Sequence, residues 1–370
     1  MISCQTVINI MEKLAPRKLA MEWDNPGLAV GDFAGKISKI LVALTVTPEV
    51  VHHAAQNGFD MIISHHPMIF KPIKALRKDL PLGKMVYEAV KHDITIYSAH
   101  TNLDIAQEGV SDVLARVLEL EDVRVLKQTT EEPLKKIVVF VPRGYEDVVR
   151  NAMGEAGAGF IGNYSHCSFN IEGKGTFKPE KGAKPFIGEE GKLEKVDEVR
   201  IETIAPESLV RKVINAMLKV HPYEEVAYDI YPLENTGNIF GLGRVGNLKK
   251  SVSLKSLCET VKLKLSAAYV RVTGELDKEI SKVAVCGGAG GDLISAASFA
   301  GADVLITGDV KYHDAVDAKA FDLAIIDAGH FSTENLVLPA LAHYLEREIQ
   351  LLGEKVDIEV YKDEEPFKII

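Results

Sequence analysis

Cysteine is scarce and scattered in this 370-residue chain: Cys4, Cys167, Cys258 and Cys286 stand far apart, with no Cys-x-x-Cys pair. That spacing argues against a disulfide framework and a cysteine zinc knuckle, and it suits a reducing cytoplasm. Long apolar runs are missing too; the longest are strand-sized, too short to cross a bilayer. Met1 to Leu19 mixes Glu12, Lys13, Arg17 and Lys18 among apolar positions, so it reads as an amphipathic helix and not as a secretory signal. Basic charge is in deficit, with 43 Lys and Arg against 53 Asp and Glu and a net charge of −10. Such a chain carries no electrostatic footprint for long nucleic acid.

What is present is an ordinary globular composition, 46% hydrophobic, in a chain long enough for two or three domains. Its two ends look like copies. Ile37-Ser38-Lys39-Ile40 and Ile280-Ser281-Lys282-Val283 each begin an apolar run, at an offset of 243 residues. Gly58-Phe59-Asp60-Met61-Ile62-Ile63-Ser64 and Gly301-Ala302-Asp303-Val304-Leu305-Ile306-Thr307 share that same offset of 243. Further on, Tyr97-Ser98-Ala99-His100 aligns with Asp327-Ala328-Gly329-His330 at an offset of 230. Each copy reads as strand, helix, strand, then a second helix and a strand that ends at the histidine. The expected fold class is α/β, with two duplicated halves sharing one site.

Between the halves the pattern changes. Strands are expected over 135–141, 196–204 and 227–231, helices over 146–156 and 206–220, and a polar-alternating pair of strands over 159–177. The order is that of a ferredoxin-like α+β module. The expected domains are therefore 1–130 as the first half, 131–236 as an insert and 237–370 as the second half.

The chemistry rests on where the imidazoles fall. His65 and His66 follow the short apolar run Ile62-Ile63-Ser64, and His100 and His330 also close strands. Ligands collect beyond the carboxyl ends of strands in open α/β sheets. Asp104 and Glu334 each stand four residues past a histidine and can return to the same place. Neutral imidazole with carboxylate suits Zn²⁺, Mn²⁺, Fe²⁺ or Co²⁺, and a shared carboxylate could bridge two such ions. His100 is open to two roles, as a further ligand or as a group that orients Asp104. His52-His53, on an expected helix, reads as a solvent-facing pair.

Two glycine-rich segments compete for an anion. Gly287, Gly288, Gly290 and Gly291 follow a strand and open a helix, so they are candidates for binding phosphate; a tight turn for close packing is the alternative. Gly241-Leu242-Gly243-Arg244-Val245-Gly246 matches a dinucleotide fingerprint in letters only, since it opens no helix in a βαβ unit.

Five motifs carry a resemblance across nearly the whole chain outside the insert: Trp23-Asp24-Asn25-Pro26-Gly27-Leu28, Ser64-His65-His66-Pro67, Ala99-His100-Thr101-Asn102-Leu103-Asp104, Thr307-Gly308-Asp309-Val310-Lys311-Tyr312-His313 and Gly329-His330-Phe331-Ser332-Thr333-Glu334. The chain resembles the NIF3-like family, also labelled GTP cyclohydrolase 1 type 2 homologues, in its longer form. The resemblance implies two divalent metal ions per chain on His65, His66, Asp104, His330 and Glu334, and a ring-shaped homohexamer. The insert is similar to PII-like and CutA1-like modules, with His221-Pro222-Tyr223-Glu224-Glu225 as the matching motif. Paired divalent ions are the usual apparatus of hydrolysis. Opening a purine ring would also need a general acid for the departing nitrogen, for which His100 and His313 are candidates. Two expectations stand: a metal-dependent hydrolase of a nucleotide or related heterocycle, or a non-catalytic metal-binding scaffold.

Overall fold

The computed structural model describes residues 1–368, which fall into two units. One comprises Met1–Thr130 and the chain from Phe240 onward; the other is Glu131–Ile239.

In the first unit, short runs of consecutive apolar residues become strands covered on both faces. One sheet has the order Asp357–Val360, Lys39–Ala43, Met61–Ser64, Thr95–Ser98, Gly27–Val30. The first four pair in parallel and the last is antiparallel. All four residues of Met61–Ser64 and of Thr95–Ser98 are buried, as parallel strands between helices must be. The crossovers are Pro48–Gln56 and Pro81–Lys91. Thr47 caps the former, its hydroxyl accepting from the Val50 N–H, with Pro48 at the first helical position.

A second set of strands in this unit has the order Arg271–Thr273, Ala324–Asp327, Val304–Gly308, Glu279–Ala289 and then the stretch of Tyr228–Ser253 from Arg244. The three central strands are parallel, with Ile294–Phe299 and Tyr312–Ala320 as crossovers. The two sheets share an anchoring device. Asp60 Oδ2 accepts the N–H groups of Ser38 and Lys39 at 2.7 and 2.9 Å, and Asp303 Oδ2 accepts those of Ser281 and Lys282 at 2.9 and 2.8 Å. Lys39 Nζ reaches the Asn57 carbonyl and Lys282 Nζ the Ala300 carbonyl.

The N-terminal helix runs Cys4–Leu14, shorter than the sequence pattern implied. Pro16 has no N–H to continue the ladder and bars helical backbone at Ala15, so the chain turns into a single 3₁₀ turn at Arg17–Leu19. Val7 and Met11 pack in one core with Leu338, Leu341 and Leu345 of helix Val337–Leu351.

The second unit includes residues 131–142 of the long strand Glu121–Pro142 and residues 228–239 of Tyr228–Ser253. Residues 134–142 pair antiparallel with Glu194–Pro206, which pairs antiparallel with Phe169–Phe177. Helices Glu146–Glu155 and Glu207–Val220 supply Val149, Met153, Val213 and Met217 to a core with Ile137, Val139 and Ile201. Within 159–177 a single strand forms, Phe169–Phe177, not the pair expected. Gly159, Gly162 and His166 take positive φ, which breaks extended pairing and leaves only the isolated Ile161–Tyr164 bridge before Phe169.

Candidate metal centre

The strand ends at Ser64, but the backbone beyond it stays tied to the neighbouring segment: the His65 N–H donates to the Ala43 carbonyl and the His66 N–H to Leu44. Two adjacent imidazoles are thereby delivered rigidly to the sheet's carboxyl edge. Thr95–Ser98 ends one strand over and delivers His100, whose carbonyl accepts the N–H of Asp104 at 3.1 Å. That single turn, Thr101–Ile105, brings the Asp104 carboxylate back to the histidines. Across the unit, Ala324–Asp327 leads through Gly329, with φ of +86°, into the short helix His330–Glu334. One turn aligns His330 and Glu334 on the same face.

All four imidazoles are oriented the same way. Nδ1 of His65 lies 2.9 Å from the Ala99 carbonyl, that of His66 2.7 Å from Thr45 Oγ1, that of His100 2.9 Å from Asp24 Oδ1 and that of His330 2.8 Å from Asp309 Oδ2. A backbone carbonyl accepts only, so His65 carries a proton on Nδ1, and its neutral form bares the Nε2 lone pair. This is the arrangement that prepares an imidazole to ligate through Nε2. His65 Nε2 stands 3.5 Å from Asp104 Oδ1 and 3.7 Å from Glu334 Oε1. Glu334 Oε2 lies 3.0 Å from both His66 Nε2 and His330 Nε2. His65 Nε2 and Asp104 Oδ1 are buried with no hydrogen-bond partner. Two buried, unpaired polar atoms 3.5 Å apart are what a shared cation would satisfy.

The residues present therefore fit divalent metal. Ligand atoms lie within 4.8 Å of one another in three groups: His65, Asp104 and Glu334; His66, His330 and Glu334; and His65, His66 and His100. Electrostatics agree. Burial pulls the pKa of His65 down, but Asp104 and Glu334 outweigh it and raise it to about 9. The hydrogen bond to Glu334 raises His330 to about 9. Burial raises Asp104 to about 6. For Glu334, burial is outweighed by His65, His330 and His66, which hold the carboxyl well below its usual range. Positive charge is demanded here, and protons supply it when metal does not.

The other sequence candidates divide. His100 joins the cluster, its ring held by Asp24 and its backbone carbonyl accepting from the Asp104 N–H. His313 stays outside, exposed on helix Tyr312–Ala320 with its ring against Tyr312. The glycine loop sits beside the centre. Gly288 has φ of +63° and donates its N–H to Thr333 Oγ1, and a Cβ on it would strike Glu334 Oε1. Gly287 borders Glu334 Cγ, Gly290 borders Thr307 and Gly291 borders the Asp314 carboxylate. The helix they lead to is only six residues, Ile294–Phe299. These glycines allow close approach to the side chains around them.

Asp24, Thr45 and Asp309 went unread from the residues alone. Asp24 and Asp309 lie within motifs quoted above, but their tie to a histidine spans 76 and 21 positions, beyond any local pattern. A cavity of about 900 Å³ opens on the centre, lined by Thr45, His66, Tyr269, Arg271, Phe331 and His330 among others. Arg271 is paired there with Asp327. No helix among the described residues is long and apolar enough to cross a membrane.

Comparison with known proteins places the chain among relatives. The chain is 48% identical over 356 residues to the GTP cyclohydrolase 1 type 2 homolog of Halalkalibacterium halodurans, covering 96% of this chain and 95% of that one. It is 49% identical to the protein of the same name from Bacillus subtilis, covering 90% and 89%. A solved Bacillus cereus protein related to NIF3 superposes with a TM-score of 0.94 at 46% identity, covering 100% and 99%. The model for Duf34/NIF3 (NGG1p interacting factor 3) matches residues 2–366, and the chain belongs to that family.

Proposed function

We propose that this chain is a hydrolase that works with two divalent cations, each drawn from Zn, Mn, Fe or Co, on a nucleotide or related heterocycle. The observation that carries the reading is the position of Glu334, whose two oxygens face different histidines: Oε1 faces His65, while Oε2 faces His66 and His330. One cation would sit with His65 and Asp104, the other with His66 and His330, and Glu334 would serve both. When bound, such ions activate water and withdraw charge from the bond being cleaved. Asp24 holds His100 by Nδ1 beside this centre, which suits His100 to deliver a proton to a leaving nitrogen. The cavity of about 900 Å³ is within the range of a nucleotide site. GTP leads the candidates through the names of the relatives alone.

The same reading includes two duplicated α/β halves interrupted by a ferredoxin-like insert of the PII/CutA1 kind. The paired aspartate anchors at Asp60 and Asp303, 243 residues apart, support the duplication. A homohexamer acting in the cytoplasm completes the proposal.

The test is metal analysis of purified wild type and His330→Ala, paired with a product screen over nucleotides that includes GTP. The proposal expects about two equivalents in wild type and a product that the variant fails to make. Metal without product from any nucleotide would favour a metal-binding scaffold; wild type without metal would end the reading.

A further inference from the structure

The unit Glu131–Ile239 holds a cavity of its own, about 390 Å³, formed by residues absent from the metal centre. Phe140, Phe177, Phe186 and Tyr223 line it, with Phe177 and Tyr223 edge to face at 5.9 Å and Phe186 and Tyr223 at 6.4 Å. Its charged lining is acidic throughout: Glu198, Glu224 and Glu225, with no Lys or Arg. The nearby loop lysines Lys178 and Lys192 pair with Glu180 and Glu194 instead.

The walls are fixed in place. The Tyr223 N–H donates to His221 Nδ1 at 3.1 Å, so the other ring nitrogen, Nε2, carries the proton and donates to the Phe140 carbonyl at 3.0 Å. The Tyr223 hydroxyl donates to Glu198 Oε1 at 3.0 Å. Glu198 lies flush because Gly175 has no Cβ to strike its carboxylate. The Lys184 N–H donates to Glu224 Oε2 at 2.9 Å and ties the loop to the cavity edge. Four separate segments therefore hold one aromatic and acidic enclosure.

We infer that this cavity binds a small organic cation, an ammonium or guanidinium group carried on an apolar body. Aromatic faces and carboxylates both attract positive charge, and in a half-enclosed site the two add. Anions, nucleotides included, would face three carboxylates with no counter-charge. A bare metal ion would find mostly ring carbon; among the described residues no group of potential metal ligands falls here. The volume suits a ligand of one ring with a substituted ammonium.

The test is calorimetric titration of the full-length protein with benzyltrimethylammonium, N,N-dimethylbenzamide and benzoate, which share a ring and differ in charge. The cation should bind saturably, about tenfold more tightly than the neutral amide, and benzoate should not bind. Phe186→Ala, at a half-exposed ring, and Glu198→Gln, which keeps an acceptor for Tyr223, should each weaken the cation about tenfold with unchanged melting temperature. Equal binding of cation and amide, no saturable binding of the cation, or undiminished binding by both folded variants would each overturn the inference.

Discussion

Gly288 and Glu334 are in direct apposition: a Cβ at position 288 would land on Glu334 Oε1 and within 3.3 Å of His330 Cε1. The backbone there is also left-handed, with φ of +63°. Gly288→Ala should therefore do two things. The left-handed backbone costs about 1–2 kcal/mol, and the new methyl should turn the Glu334 carboxylate out of the centre and cut metal content severalfold. Gly301→Ala separates the effects, since φ is +73° there but the nearest atom is Lys282 Nζ at 3.7 Å. That variant should melt earlier yet keep its metal. Equal metal loss in both would show that Gly288 matters only through folding.

Because Glu334 belongs to two of the three groups of ligand atoms and Asp104 to only one, their neutral isosteres should differ in stoichiometry. Glu334→Gln is expected to lose both cations, whereas Asp104→Asn should retain about one on His66, His330 and Glu334. Metal analysis after gel filtration gives the count. Equal loss from the two variants would remove Glu334 from its shared position.

Protons and metal compete for the same imidazoles, which fixes the sign of a pH effect. In the metal-free protein His65 and His330 are raised to about 9 from the ordinary 6.5, chiefly by Asp104 and Glu334. A raised folded pKa means that their contribution to stability is fully present below pH 6.5 and disappears as pH climbs to 9. Burial lowers His66, so its own titration falls below that window. Metal binding needs the neutral rings and gains as they deprotonate. Chelator-treated protein should thus lose thermal stability between pH 6.5 and 9, while the gap between metal-loaded and metal-free melting temperatures widens. A gap that narrows over that range would contradict the assignment of these rings.

The candidate ligands were legible because each stands at or one turn beyond the end of a buried apolar run, where pattern and position coincide. His65, His66, Asp104, His330 and Glu334 all meet that description. The groups that aim them were not. Thr45 and Asp309 occupy loop positions of no periodicity, and the Ala99 carbonyl belongs to no side chain at all. The glycines at 287–291 carried a strong signal with two physical causes, an anion cradle or a close side-chain approach. Their neighbours, Glu334 and Asp314, are visible only once distant segments meet. Likewise the alternation over 159–177 hid a break that depends on backbone φ at Gly159, Gly162 and His166. Local pattern reports burial; it does not report which partner fills the space.

Every candidate ligand belongs to the unit formed by Met1–Thr130 and the chain from Phe240 onward. Where the chain leaves and re-enters that unit, Thr129 Oγ1 donates to the Phe240 carbonyl at 3.3 Å and the Gly241 backbone packs on Lys127. A linker of a few residues can thus join Thr130 to Phe240 without displacing either strand. Loop closure over so short a span is also cheaper in entropy than closure over the whole insert. A chain lacking Glu131–Ile239 should accordingly fold, hold as much metal as the full-length protein and show the same pH-dependent gap on chelation. Sedimentation would reveal whether it also changes assembly. A soluble, folded excision product without metal would mean that the insert organises the ligands, since none of its own residues is among them.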